Sequence, residues 1–200
     1  MFKHFKKIHK PAFLVAGLGN PEKRYEHTRH NVGFLFVSFF AKNSGIKIKK
    51  KEFNAFTGYG EVEGNSLLIM KPLTYMNQSG ISIKASISAY KIKYEDVIII
   101  HDDMDIDKGR VKLQYKKGSA GHKGIQSIVN NIGQDGFYRI RIGIGKPDNN
   151  DDPSDYVLDA FSDREMEKLD VLFEQISQGL IMFIKGDRQK AIEFINNIRA

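Results

Sequence analysis

Apolar positions in this chain fall into runs of two lengths, and the breaks between them predict its elements. Residues 12–16 form a strand-length apolar run that stops at Gly17-Leu18-Gly19-Asn20-Pro21, and an aromatic-rich stretch over 32–40 follows. Between them Thr28 can cap a helix, so the pattern predicts strand, glycine turn, loop and helix, the helix spanning 31–43 and closed by Gly45. The phenylalanines at 34, 36, 39 and 40 read as core. Residues 46–51 make a cationic turn or short strand. Those at 53–61 and 66–71 flank a Val62-Glu63-Gly64-Asn65 turn and predict an antiparallel hairpin. Pro72 ends the hairpin, and Asn77 can cap a helix reaching residue 90. Residues 96–100 hold an unbroken β-branched run, the mark of a central strand buried on both faces.

Further along, the pattern predicts a strand over 110–115, a loop over 116–121, a helix over 122–131 and a strand over 137–144 with Arg139 and Arg141 on one face. An acidic loop at 148–154 is the candidate mobile segment. Two amphipathic helices, 163–184 and 187–198, part at Lys185-Gly186. The sum is a single-domain three-layer α/β/α fold with a twisted mixed β-sheet over 12–200, preceded by a basic, flexible arm at 1–11.

Composition narrows the chemistry. The 200 residues contain no Cys, which excludes thiol nucleophiles, disulfides and thiolate metal sites. Lys and Arg outnumber Asp and Glu by 31 to 24, a net charge of +7 that fits a polyanionic partner without requiring one. The basic arm lacks the apolar segment of a secretory signal, and no apolar run reaches the roughly 18 residues of a membrane span. The expectation is a cytoplasmic protein with no membrane association.

Three motifs suggest cofactors and fail on spacing. Gly17-Leu18-Gly19 lacks the third glycine of a dinucleotide turn, because Glu22 stands there. Residues 118–124 miss one spacer of a phosphate loop, and Gly124 replaces its Ser or Thr. An EF-hand counted from Asp103 puts Lys108 where Gly is needed and Gln114 where Glu belongs. What remains is a set of polar residues at separate strand ends: Asn20, His30 and Asn31 from the first, Asn77 from the second, Asp102 from the third. His30, in the first helical turn, is expected to be neutral near pH 7 and suited to general-base work. A carboxylate beside it would fix its tautomer. No G-x-S-x-G elbow is present, so water is the expected nucleophile, and two carboxamides suit an acyl ester of a peptide-like group. A catalytically silent RNA-binding module and a metal-dependent hydrolase using the acids around Asp102 stay open alternatives.

Five stretches, GLGNPEKRYEHTRHNVGF, KPLTYMNQSG, HDDMDI, GSAGHKGI and FYRIRIGIG, carry a resemblance to bacterial peptidyl-tRNA hydrolase that runs from about Phe13 to the C-terminal helices. The resemblance implies hydrolysis of the ester joining a peptide to the 3′-terminal ribose of tRNA, recycling tRNA from abortive translation, by a monomer without metal or cofactor. It implies His30 as general base, Asp102 as the acid keeping it basic, Asn20 as the residue testing for an acylated α-amino group, and Asn77 as the carboxamide holding substrate near water. Tyr25 and Tyr75 match aromatic positions of the cleft for the tRNA end and peptide. Arg141 matches the family's basic surface that grips tRNA phosphate, and the expected partner is the acceptor end and 3′ terminus of peptidyl-tRNA. Lys123 stands where the family commonly has Asn, and a cation there can meet a phosphate near the 3′ terminus. Gln114 lies where some members present a phosphate-binding Lys, with Lys112, Lys116 and Lys117 around it.

Overall fold

The computed structural model describes residues 10–147 and 152–199, so most of the basic arm and positions 148–151 of the acidic loop lie outside the described residues. The strands are β1 (Phe13–Gly17), β2 (Lys50–Glu52), β3 (Ala55–Val62), β4 (Asn65–Pro72), β5 (Val97–Asp103), β6 (Val111–Tyr115) and β7 (Tyr138–Gly143). The helices are α1 (Val32–Asn43), α2 (Ser79–Tyr90), α3 (Lys123–Ile132), α4 (Pro153–Tyr156), α5 (Asp163–Lys185) and α6 (Arg188–Asn196).

The strands form one mixed sheet in the order β2-β3-β4-β1-β5-β7-β6. The four inner strands β4, β1, β5 and β7 run parallel, and antiparallel pairs close both sides. Alternate residues of β1 and β5 enter two different cores. Val15, Ile98 and Ile100 pack with α1, α5 and α6, while Leu14, Ala16, Val97 and Ile99 pack with α2 and α3. Every one of these side chains is 0% exposed. Burying a Val, Ile or Leu contributes roughly 1.5–3 kcal/mol. The register of β5 is therefore held firmly, and with it the position of the polar residues that follow Ile100.

In four places the structure departs from the sequence-based expectation. Strand β5 continues through His101, Asp102 and Asp103, because β7 supplies partners Arg141, Ile142 and Gly143 in register. Phe53 is not a strand residue: with Asn54 it forms a two-residue turn, φ 52° and 51°, that makes β2 and β3 a second hairpin. The usual Asn-Gly or Asp-Gly signal for such a turn is absent. Asn77 does not cap α2. It lies inside a 3-10 turn, Met76–Gln78, and the helix starts at Ser79. His30 likewise occupies a 3-10 turn, Arg29–Asn31, ahead of α1.

The approach of α1 to the sheet explains the Gly-x-Gly turn without any nucleotide. A Cβ on Gly17 would stand 2.1 Å from the Gly33 carbonyl oxygen, and one on Gly33 would stand 2.4 Å from that of Ile100. Only glycines let the helix press onto the ends of β1 and β5. His30, three residues before Gly33, is thereby brought to the carboxyl end of β5, where ligands gather in parallel sheets.

Candidate active site

The site is built around the carboxylate of Asp102, which is 2% exposed. Its Oδ1 lies 2.9 Å from Nδ1 of His30 and 3.0 Å from Nε2 of His122, the residue just before α3. Burial acts to raise the Asp102 pKa, but the attraction and hydrogen bonds of the two imidazoles outweigh it and hold the carboxyl well below the usual carboxylate range.

The protons on both rings follow from their partners. Nδ1 of His122 accepts the backbone N–H groups of Gly124 and Ile125, at 3.1 and 3.3 Å, and so caps α3. These amides are obligate donors, so the proton of His122 sits on Nε2 and is donated to Asp102. His30 donates from Nδ1 to the same oxygen, which leaves its Nε2 lone pair facing the cleft. Its side chain is 11% exposed. A third imidazole lies behind them. His101 packs edge-on to His122 at 4.5 Å and donates from Nδ1 to its neighbour's carbonyl, Asp102 O. Burial first, and the His122 ring second, push the His101 pKa well down, so this ring is a neutral filler.

Among the described residues, His30, Asp102 and His122 make the one cluster of three metal-ligand side chains, with ligand atoms within 4.8 Å of one another. The donor set does not fit a cation. Nε2 of His122 could bind a metal only if its proton moved to Nδ1, and there it would meet two backbone N–H donors.

Asn20 is held by its whole backbone. Asn31 accepts the Asn20 N–H at 2.7 Å and donates to its carbonyl at 3.0 Å. Asn31 is thus a buried brace and does not project into the crevice as its position in the motif suggested. The Oδ1 of Asn20 accepts the Met76 amide at 3.0 Å, leaving its NH2 group for the cleft. A strap from the other end of the chain secures His30. The His30 N–H donates to the Val157 carbonyl at 2.7 Å, the Arg29 N–H to that of Asp159, and Thr28 bridges to Ala160.

These groups line a cavity of about 630 Å³, within the range of small-molecule sites. Asn20, His30, Asn77, Asp102, His122 and Lys123 supply its polar part, and Met76, Met104, Val157 and Leu158 its apolar walls. Tyr75 stands at the rim, its hydroxyl donating to Glu22 at 2.5 Å.

The sequence and the fold have counterparts. The family profile described as "Peptidyl-tRNA hydrolase" matches residues 14–200. A "Peptidyl-tRNA hydrolase" of Caldicellulosiruptor saccharolyticus is 41% identical over 92% of this chain and 96% of its own. One of Clostridium perfringens is 35% identical over 92% and 97%. The crystal structure of peptidyl-tRNA hydrolase from Acinetobacter baumannii superposes with a TM-score of 0.89 at 34% identity, covering 94% of this chain and 95% of that one. The chain belongs to the peptidyl-tRNA hydrolase family.

The expected peptidyl-tRNA hydrolase residues are brought together unevenly. Asn20, His30, Asn77, Asp102, Tyr75 and Lys123 all line the one cavity. Tyr25 does not. It lies outside the cavity lining, with the Arg24 guanidinium 4.7 Å from its ring centroid. Arg141 is also misplaced by the sequence reading. It is 8% exposed, and its Nε and Nη1 donate at 2.7 Å to Asp103 and Gln114. A guanidinium committed to a buried carboxylate and amide is not a surface grip for phosphate. The facing carboxylate of Asp103, fixed by the extension of β5, was the missing information. The sequence reading does not include His122 or the 157–161 strap in the site, and it gives Asn31 a place in the crevice where the structure makes it a brace for Asn20. For His122 the signal was present, since it opens a predicted helix in a quoted motif.

Proposed function

We propose that the cleft hydrolyses the ester between peptide and tRNA in peptidyl-tRNA, with water as the nucleophile and His30 as general base. The observation that carries this reading is the pair of bonds on Asp102 Oδ1, which aims a basic Nε2 of His30 into a cleft lined with carboxamides. His30 takes a proton from water as the water oxygen bonds to the ester carbonyl carbon. The carbon–oxygen bond to the terminal ribose then breaks, and His30 returns the proton to the ribose oxygen. Asn20, fixed through its Oδ1, offers an N–H to the acyl-amide carbonyl of the substrate. A free α-ammonium, which has no such carbonyl, gains nothing from it. The Asn77 side chain makes no hydrogen bond to protein among the described residues and is available to hold the substrate beside the water. Lys123, a cation at the cavity rim, suits a phosphate near the 3′ terminus. The enzyme acts as a monomeric domain in the cytoplasm, where charged tRNA is made and used, and its excess positive charge favours the acceptor end of tRNA.

The test is incubation of purified protein with N-acetyl-aminoacyl-tRNA in the presence of chelator, scoring release of the acyl amino acid. Full turnover in chelator is expected; loss of it would revive a metal-dependent hydrolase. Asn20→Ala should narrow the preference for N-acylated over free aminoacyl-tRNA by about tenfold or more, the worth of one hydrogen bond to a substrate group. Unchanged selectivity would remove Asn20 from that role.

His122 acts in this scheme as a positioning residue, and its two nitrogens have separable duties. Asn at this position places an amide where Nδ1 stands and can cap α3. Gln reaches the position of Nε2 and can donate to Asp102. Relative to His122→Ala, His122→Asn should restore about 1 kcal/mol of stability but not the rate. His122→Gln should recover much of an expected 10- to 100-fold loss in kcat without restoring the cap. Thermal melts and kcat on the same three proteins decide it. Identical behaviour of Asn and Gln would show that the division is wrong.

A further inference from the structure

The motif that supplies Tyr75 and Asn77 begins with a lysine the cleft does not use. Lys71 lies near the end of β4 on the α1 side of the sheet, following Leu67 and Ile69 in alternation. Its ammonium donates to Ser38 Oγ at 3.1 Å and lies 5.0 Å from the Phe34 ring centroid. Ser38 spends its own proton on the Phe34 carbonyl, so it can only accept from the lysine. No carboxylate among the described residues comes within ion-pair distance of Lys71, and Glu26 acts on it only from farther away. Burial pushes its pKa down, as for any ammonium removed from water without a counter-ion.

This ammonium opens into a second cavity of about 390 Å³, lined by Ser38, Ala41, Lys42, Ile46, Ile48, Phe56 and Lys71 and sharing no residue with the cleft. Lys42, exposed at the end of α1, is likewise without an ion-pair partner among the described residues. Phe56 is the cross-strand neighbour of Lys71 and contributes an aromatic surface, with Lys51 Nζ 5.1 Å from its ring centroid. Two cations without an ion-pair partner among the described residues call for an anion, and an aromatic ring with two isoleucines calls for a flat apolar body. The volume lies at the small end of ligand sites. We propose that this cavity is a second binding site, for a single nucleotide unit, with its phosphate between Lys71 and Lys42 and its base against Phe56.

The experiment is titration of the ¹⁵N-labelled protein with AMP, inorganic phosphate and a hexa-adenylate, followed by amide shifts. AMP at concentrations up to about 10 mM should saturably shift amides of residues 38–48, 56 and 71, and inorganic phosphate should bind there about tenfold more weakly, because it lacks the base. Lys71→Met, which keeps the aliphatic stem, should weaken AMP by about tenfold or more. Lys42→Ala, on an exposed helix end where folding is not at stake, should weaken it in the same direction. His30→Ala should leave these shifts in place, so failure of the esterase reading and failure of this one are distinguishable. Hexa-adenylate binding tighter than AMP at the same amides would identify a nucleotide of an RNA chain as the occupant, and its exclusion would identify a free nucleotide; both sustain the site. Absence of AMP shifts in this region, equal binding by phosphate, or unaltered affinity in both lysine variants would overturn it.

Discussion

His30→Ala should lower kcat on N-acetyl-aminoacyl-tRNA by at least about 10²- to 10⁴-fold, the usual worth of a positioned general base. KM should change little. The imidazole projects from a 3-10 turn whose backbone is secured by the Val157 and Asp159 carbonyls, so loss of the ring leaves the turn anchored. Asn20 stays braced by Asn31, and the apolar walls of the cleft are untouched. Single-turnover rates separate the chemical step from binding, and a tRNA-binding measurement on the same variant should match wild type. Undiminished turnover would dismiss His30 as the base.

Asp102→Asn should cost about as much, on the order of 10³- to 10⁴-fold, for a different reason. The carboxylate oxygen now accepts two ring protons at once, at 2.9 and 3.0 Å. An asparagine oxygen in its place would keep both bonds but lose the charge that stabilises the imidazolium as it forms. If the amide turned over, its NH2 would face Nδ1 of His30, drive the proton to Nε2 and abolish the base. Either arrangement lowers kcat, and addition of strong nucleophiles should not rescue it. Stability gives a second reading. The folded-state pKa of Asp102 is depressed, so its contribution is present above the unfolded value of about 3.9 and is lost as pH falls below it. Wild type should therefore exceed the Asn variant in stability near neutral pH, with the gap closing in acid. A gap that widened in acid would contradict the depressed pKa.

Local pattern was enough wherever one element carries its own signal. The Val97-Ile98-Ile99-Ile100 run announced a central strand because both its faces are buried. Gly45 and Gly186 marked helix ends, and both take positive φ. The two terminal helices were legible from their amphipathic spacing and the glycine between them. The pairing of His30 with Asp102 was a weaker inference, since 72 residues separate them. It rested on three loops opening at strand ends, together with the family motifs.

Several of the departures from local pattern share a cause. Asn77 has the residue type of a helix cap, and Arg141 that of a phosphate anchor. Residue type does not say what faces a side chain. Arg141 lies in the sheet opposite a strand that runs three residues farther than its apolar run, and Asp103 waits there. Phe53 entered a tight turn despite its strand propensity, because pairing of β2 with β3 outweighs the local preference.

From the amino-acid order alone came the class of fold, the absence of thiol chemistry, the family, and the core of the constellation: His30, Asp102, Asn20 and Asn77. The tertiary structure alone decided the proton positions, since the tautomer of His122 depends on amides of α3 and that of His30 on a strand elsewhere in the chain. It also decided which cations have no ion-pair partner among the described residues, Lys71 and Lys42, and which is consumed by a carboxylate, Arg141. The physical reason is one of range. Hydrophobic periodicity and turn chemistry act over a few residues, whereas a hydrogen bond or ion pair depends on atoms brought within about 3 Å by the packing of the whole sheet.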